Sequence, residues 1–180
     1  IATANNVFNL NTWNHVAVAR TGGVITLYVN GVSAGTVSNS TAGTNGNTPL
    51  YVGVYGTGGP SNYFPGYISN IRINTTTAIY TGAFTPPTGP LTAVSGTQFL
   101  TCQSNRFIDN SSNAFAITVN GSPSVQRFSP FSPTTPYSTS VIGGSGYFGP
   151  GGAIANLSIS PTGLSSMSTW TMEFWAYRQP

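Results

Sequence analysis

Charged side chains are scarce in this sequence, where they make up 4% of 180 residues, against about 25% in ordinary globular proteins. Lysine is absent, the only acidic residues are Asp109 and Glu173, and all five cationic side chains are arginines. The net charge is +3, but the arginines are scattered and form no cluster that follows a phosphate backbone. We therefore predict no nucleic-acid partner.

Cysteine, histidine and long apolar runs are also scarce. The single cysteine, Cys102, excludes an intrachain disulfide and is expected to be a small buried apolar side chain. The single histidine, His15, has no second histidine or cysteine with which to build a zinc site. No run of about 18 apolar residues is present, so we expect no membrane insertion. We also predict no cofactor.

The stretch 12–37 carries the clearest pattern in the chain. From His15 to Arg20 the valines fall on one face and the alanines on the other, as in a half-buried strand. From Val24 to Val29 apolar side chains recur at every second position. Gly22-Gly23 and Asn30-Gly31 tolerate positive φ and suit tight turns. We predict an antiparallel meander of three strands.

Further strands are predicted along the rest of the chain. In Gly66–Ile73 a bulge near Ser69 would place all three isoleucines on one face. Phe99–Cys102 is a short strand, and Asn120-Gly121 predicts a second hairpin. Thr171–Tyr177 is apolar at both odd and even positions, as in a strand buried on both faces. No segment repeats with a period of 3.6, so we expect essentially no helix and an all-β fold.

Two stretches are too rich in proline and glycine to form regular structure. Residues 56–65 read as a loop with aromatic side chains at Tyr63 and Phe64. Residues 75–95 include three prolines, which exclude a helix or a central strand there. The second stretch is the best candidate for a module boundary.

Three motifs carry a family resemblance: Trp13–Val18 (WNHVAV), Leu27–Gly31 (LYVNG) and Gly66–Ile73 (GYISNIRI). Together they resemble the second half of a laminin G-like jelly roll of the concanavalin A-like superfamily. The tail, with Gly146-Tyr147-Phe148 and Thr171–Trp175, is similar to the opening strands of such a domain. The resemblance implies an antiparallel jelly-roll β-sandwich that is split between two modules.

The predicted domain organisation follows from this reversed order of the halves. Residues 1–80 are the back half of one laminin G-like module, and residues 143–180 are the front half of the next. Residues 81–142 form a connector rich in Pro, Ser and Asn with a short hairpin. We expect the middle strands to lie outside this chain, and the front half to complete a neighbouring module or subunit by strand addition.

The connector resembles a segment that recurs between laminin G-like modules in large structural proteins of tailed phages of marine bacteria. The resemblance lies in Leu100–Ser112 and Phe128–Phe131. It implies a non-enzymatic structural or adhesion module of a phage fibre or another extracellular appendage, on the virion surface. Such a module would contact host-surface glycans, or build the fibre by strand complementation with other copies or modules of the same protein. The alternative is a secreted, lectin-like bacterial adhesin domain.

Hydrolysis and metal binding are both disfavoured. A glucanase needs two carboxylates flanking the scissile bond, whereas Asp109 and Glu173 lie in segments of different character. Glu173 is expected to be a hydrogen-bonded carboxylate within a strand, and His15 a hydrogen-bonded histidine within a strand. Family members often carry Asp after the Tyr-Phe motif, where this chain has Gly149-Pro150, so we predict no metal site.

The candidate glycan-binding residues are Tyr55, Asn62 and Tyr63. Pyranose faces stack on aromatic rings, and amide side chains hydrogen-bond to sugar hydroxyls. The alternative is a glycine-rich loop with ordinary surface aromatics. The three tryptophans accompany strand motifs and are expected in the core rather than in a sugar platform: Trp13, Trp170 and Trp175.

Overall fold

The computed structural model describes residues 7–43, 48–55, 61–131, 143–150, 154–162 and 167–180. Within them the chain forms strands and no helix, which confirms the all-β fold class. No helix among these residues is long and apolar enough to cross a membrane. The strands are β1 (Trp13–Thr21), β2 (Val24–Val29), β3 (Val32–Ser38), β4 (Leu50–Val52), β5 (Val54–Tyr55), β6 (Asn62–Tyr63), β7 (Gly66–Asn74), β8 (Thr97–Thr101), β9 (Thr118–Gly121), β10 (Ser124–Gln126), β11 (Ser145–Tyr147), β12 (Ala155–Ile159) and β13 (Trp170–Arg178).

A large antiparallel sheet organises the molecule. It has eight strands in the order β10-β11-β7-β13-β1-β2-β3, with β8 also paired to β7. The predicted meander is confirmed as β1, β2 and β3. Asn30 (φ 50°) and Gly31 (φ 82°) form the two-residue turn between β2 and β3.

The C-terminal tail supplies the strand at the centre of this sheet. β13 lies between β1 and β7 and pairs with both over nearly its whole length. β11 pairs with β7, and β12 pairs with β4 in the second sheet. Residues 143–178 therefore add strands to residues 12–74 of their own chain, whereas the sequence predicts that they complete a neighbour. The assignment of the two halves to separate modules of a longer chain stays a prediction.

A smaller sheet of three strands, β4-β12-β9, packs on the inner face of the large sheet and makes a β-sandwich. The core between them includes Ile68, Ile71 and Ile73 of β7, together with Phe99 and Leu157. The bulge predicted near Ser69 is present, since the β7–β13 register shifts between Glu173 and Trp175, opposite the extra β7 residue. The bulge brings all three isoleucines into one core.

The predicted hairpin at Asn120-Gly121 does not form. β9 pairs with β12 in the small sheet, whereas β10 pairs with β11 in the large one. Gly121 has φ 72°, and a Cβ there would lie 1.6 Å from the carbonyl oxygen of Ile154. Gly121 therefore allows the backbone of β9 to approach Ile154 closely. The chain then leaves the small sheet and enters the large one at β10.

The outer face of the large sheet is covered by the proline-rich segments. Residues 75–96 contain no strand, as their prolines predict, and stack Tyr80 on Phe84 with ring centroids 3.6 Å apart. Phe128 contacts Trp13, and Phe131 contacts Trp175. The described part of the connector, up to Phe131, is therefore packed against the large sheet.

Candidate functional site

A groove of about 810 Å³ lies on the inner face of the large sheet, beside the β5–β6 pair. Its floor includes Val16, Phe174, Ala176 and Ile68, from β1, β13 and β7. Val16 lies opposite Phe174, and Ala176 opposite Ile68, so all four side chains share one face of the sheet. The floor is apolar, and the volume falls in the range of small-molecule sites, about 300–1,000 Å³.

The wall of the groove is the short β5–β6 ladder. Val54 pairs with Tyr63, and Tyr55 pairs with Asn62. Gly53 precedes this ladder with φ 83°, and a Cβ there would lie 2.3 Å from the ring of Phe148. Only glycine accommodates both constraints, so it lets the chain run from β4 of the small sheet into the wall of the groove.

The three residues predicted from the sequence all line this groove. Tyr55 is 68% exposed, Asn62 is exposed, and Tyr63 is half-buried. Tyr55 and Asn62 are direct cross-strand partners, and Tyr63 follows on the same strand. Because side chains alternate along a strand, Tyr55 and Asn62 share one face of the ladder, and Tyr63 lies on the other face with Val54. The ladder therefore places one phenol ring beside an amide, as stacking on a sugar and hydrogen bonding to its hydroxyls require, and presents the second ring to the groove from its other face.

The groove is also lined by three residues that were not predicted from the sequence: Phe8, Leu10 and Arg178. The backbone N–H of Asn11 donates to the carbonyl oxygen of Arg178 at 3.1 Å, which joins the segment before β1 to the end of β13. The alternation Phe174, Ala176, Arg178 indicates that these three side chains share a face. They line the same groove as β5 and β6, which are more than 100 positions away in the sequence, and local patterns do not reveal this.

A second cluster of polar side chains lies on the outer face of the sheet, away from the groove. Its centre is the fully buried carboxylate of Glu173. Arg72 Nε and Nη2 donate to Oε1 at 2.9 and 2.6 Å, and Tyr80 Oη donates to Oε2 at 2.7 Å. His15 Nε2 lies 3.1 Å from Oε2. Glu173 and His15 are hydrogen-bonded side chains within strands, as predicted.

These contacts determine the ionisation of the cluster. Burial raises the pKa of the Glu173 carboxyl, but the His15 hydrogen bond, the Arg72 charge and the Tyr80 hydrogen bond outweigh burial, and the pKa falls below its usual value. Burial and the neighbouring carboxylate raise the pKa of Tyr80 well above its usual value. Glu173 is therefore an ionised carboxylate held by donors on several sides, and Tyr80 stays a neutral donor.

Residues 1–83 match the family model Laminin_G_3, described as the concanavalin A-like lectin/glucanases superfamily. Within these residues the chain is similar to a laminin G-like jelly roll. The matched range contains β1 to β7, and with them the three groove residues predicted from the sequence. The family description covers both lectins and glucanases, so the match supports a carbohydrate-binding or structural module in general. Comparison with curated proteins and with solved structures found no match.

The other acidic side chain, Asp109, organises a turn beside β8. Its carboxylate accepts hydrogen bonds from the backbone N–H groups of Leu100, Ser111 and Phe115 at 3.0, 2.9 and 2.9 Å. Asp109 and Glu173 are both buried, and the groove is lined by neither. Among the described residues, no three His, Cys, Asp or Glu side chains cluster closely enough to hold a metal ion.

Proposed function

We propose that the laminin G-like chain is a non-enzymatic adhesion module of a phage fibre or another extracellular appendage, and that the groove binds a host-surface glycan. The observation that carries this proposal is that Tyr55, Asn62 and Tyr63 all line one apolar groove, with Tyr55 directly opposite Asn62. Aromatic faces with a neighbouring amide are the contacts that a pyranose ring uses. The superfamily match agrees with carbohydrate binding in general.

The non-enzymatic part of the proposal depends on the acidic residues. Glycoside hydrolysis requires two carboxyl groups that flank the scissile bond, about 5–10 Å apart. In this chain both carboxylates are buried and engaged with protein donors, and the groove is lined by neither of them. Release of reducing sugar from a β-glucan by the purified chain would overturn this part.

The biological setting is proposed from the resemblance of the connector to phage structural proteins. The virion surface, the tandem arrangement of modules and other copies of the protein as partners all belong to this proposal. The alternative setting is a secreted bacterial adhesin domain with the same glycan site. Sequencing the genes that flank the coding region separates the two, since a phage appendage lies among other virion genes and a bacterial adhesin does not.

The glycan site is tested by measuring the binding of the purified chain to an array of bacterial surface polysaccharides. The affinity for the best ligand is then measured by calorimetric titration. Tyr63→Ala removes one stacking ring and is expected to weaken binding by about 1–2 kcal/mol, about 5- to 30-fold in Kd. The matched control is Tyr51→Ala, because Tyr51 is 40% exposed and does not line the groove.

The outcomes separate the possibilities. Equal losses in both variants would point to a general surface effect and would contradict the groove as the binding site. A folded chain that binds no polysaccharide would contradict glycan adhesion and leave a purely structural role. That structural role is favoured by one specific feature, the free edge of β3.

A further inference from the structure

Among the residues that the structure describes, β3 has a partner on one side only and forms a free edge of the large sheet. It is seven residues long, Val32–Ser38, with the sequence VSAGTVS and no proline or charged side chain. Natural sheets usually protect such an edge with charge, proline or a covering segment, because unpaired N–H and C=O groups recruit other strands. A long, uncharged edge is therefore a candidate pairing surface.

The direction of the backbone groups along β3 follows from its pairing with β2. The N–H of Asn39 donates to the carbonyl oxygen of Gly23 at 2.7 Å, so Asn39 points toward β2. Hydrogen-bonded and non-hydrogen-bonded pairs alternate along an antiparallel ladder. The residues opposite Val24, Thr26 and Tyr28 therefore direct their N–H and C=O groups to the free edge. These residues are Ser38, Thr36 and Ser33.

A bulge places two exposed valines on one face of β3. The β2–β3 register shifts between Leu27 and Tyr28, which adds one residue to β3. Val32 and Val37 lie opposite Val29 and Ile25, on the same face of the sheet although they are five positions apart. Val32 is 65% exposed and Val37 is 39% exposed.

We propose that β3 pairs antiparallel with β3 of a second copy of this chain, with Val32 opposite Val37 and Ser33 opposite Thr36. In this register Ser33 and Thr36 form the hydrogen-bonded pairs through their outward backbone groups. Each exposed valine meets the other exposed valine of the partner in a non-hydrogen-bonded pair, where side chains approach most closely. The contact is self-complementary, as a two-fold interface requires.

The charge distribution of the chain favours a second copy of the chain as the partner that pairs with the free edge of β3. The sequence from residue 21 to residue 71 contains no Asp, Glu, Lys or Arg. Two copies with a net charge of +3 therefore approach through a neutral segment and bring no like charges into opposition. The pairing joins two eight-stranded sheets into one. It specifies an assembly contact of the proposed appendage module, and it is independent of the groove.

The pairing is tested by measuring the molecular mass of the chain in solution, by sedimentation equilibrium over a range of protein concentrations. We expect a dimer, and we expect Val32→Lys to weaken it by at least about tenfold, since each interface then buries two ammonium groups against valine. The matched control is Val125→Lys, because Val125 is 38% exposed on the edge strand β10. A chain that is monomeric throughout, or a dimer equally weakened by both variants, would overturn the proposal.

Disulfide trapping tests the register. Paired Cα atoms at a non-hydrogen-bonded position are about 4.5 Å apart, within the range that a disulfide spans. A mixture of Val32→Cys and Val37→Cys chains should form a mixed covalent dimer on mild oxidation, and the Ser33→Cys and Val37→Cys mixture should form far less. The native thiol of Cys102 is buried and does not compete. Equal yields from the two mixtures would contradict the register.

Glycan binding by the same variants keeps this inference separate from the proposed function. Val32→Lys is expected to bind polysaccharide as the unmodified chain does, because Val32 does not line the groove. A monomeric chain that binds glycan would overturn the pairing alone. A dimer that binds no glycan would overturn the adhesion proposal alone.

Discussion

At the scale of single residues, Glu173 is the side chain with the most demanding environment. It is fully buried in the central strand and receives hydrogen bonds from Arg72 and Tyr80, with His15 Nε2 also in contact. A buried carboxylate is tolerated only when cationic and polar partners replace its lost hydration. The contacts of the Glu173 carboxylate on β13 therefore link this strand to β1, to β7 and to the segment after β7.

Replacing Glu173 by glutamine keeps the size of the side chain but removes its charge. Arg72, which is 7% exposed, then lies buried without a counter-charge, and we expect the free energy of unfolding to fall by about 3–5 kcal/mol. Urea denaturation measures this change. Arg106→Gln is the control, because Arg106 is exposed and should change stability by less than about 0.5 kcal/mol. Similar values for the two variants would contradict the structural role of the cluster.

The stability of the chain should also depend on pH through Glu173. The pKa of this carboxyl is lower in the folded chain than its usual value, so the unfolded chain binds its proton first as the pH falls. The contribution is complete above the pKa of an unfolded glutamate, about 4.3, and is lost as the pH falls through the folded-state pKa. Urea denaturation from pH 7 downward should show the gap between native chain and Glu173→Gln closing in acid. A gap that is constant with pH would contradict the lowered pKa.

At the scale of elements, the β2–β3 turn does more than reverse the chain. Gly31 has φ 82°, and a Cβ there would lie 1.9 Å from the carbonyl oxygen of Phe84. The N–H of Phe84 also donates to the carbonyl oxygen of Gly31 at 3.0 Å. The turn is therefore the point at which the proline-rich covering segment is attached to the meander.

The substitution Gly31→Ala should therefore destabilise the chain by about 2 kcal/mol or more, since it combines a left-handed alanine with a steric overlap. Thermal and urea denaturation measure the loss. The control is Gly89→Ala in the same covering segment, because a Cβ at Gly89 meets no atom within 4 Å. A larger loss in the control than in Gly31→Ala would contradict the assignment of the attachment point.

The elements also show where local patterns succeed. Alternation at His15–Arg20 and the Asn30-Gly31 turn predict the meander, because both signals are contained in neighbouring residues. The Asn120-Gly121 pair is the same signal, yet β9 and β10 enter different sheets. A turn-forming pair specifies a local change of direction, whereas the partner of the next strand depends on tertiary packing.

At the scale of the whole molecule, the position of β13 determines whether the two halves of the chain unfold together. This strand comes from the last eleven residues but lies between β1 and β7, which are far from it in sequence. Without β13 the large sheet divides into β1-β2-β3 and β10-β11-β7 with β8, and β1 and β7 each lose a partner along nearly the whole of β13. The two halves predicted from the sequence should therefore unfold together.

We expect a single cooperative unfolding transition in urea. Far-UV circular dichroism follows the sheets, and tryptophan fluorescence follows Trp13 on β1 and Trp170 and Trp175 on β13. The two signals should give the same midpoint and the same free energy. A variant that lacks residues 167–180 should lose the transition altogether. Two separate transitions in the intact chain would contradict a single folding unit.

The candidate site was only partly predictable. Tyr55, Asn62 and Tyr63 were proposed as glycan-binding residues because aromatic and amide residues flank a glycine-rich stretch, and all three line the groove, whereas their binding role stays a prediction. Val16, Phe174 and Arg178 were not identifiable as groove residues. Val16 and Phe174 are brought together by the β1–β13 pairing, and Arg178 is paired with Gly66 of β7, so both contacts join residues more than 100 positions apart.

The sequence by itself determined the strand periodicity, the turns of the meander, the absence of helix and the segments excluded from the sheets by proline. Those features depend on side-chain alternation and on backbone preferences of neighbouring residues. Only the tertiary structure decided that the tail supplies the central strand, that the connector covers the outer face and that a groove opens against β5 and β6. Strand order is set by long-range hydrogen bonding and by the burial of apolar faces. A local sequence pattern does not specify which distant strand will be the partner.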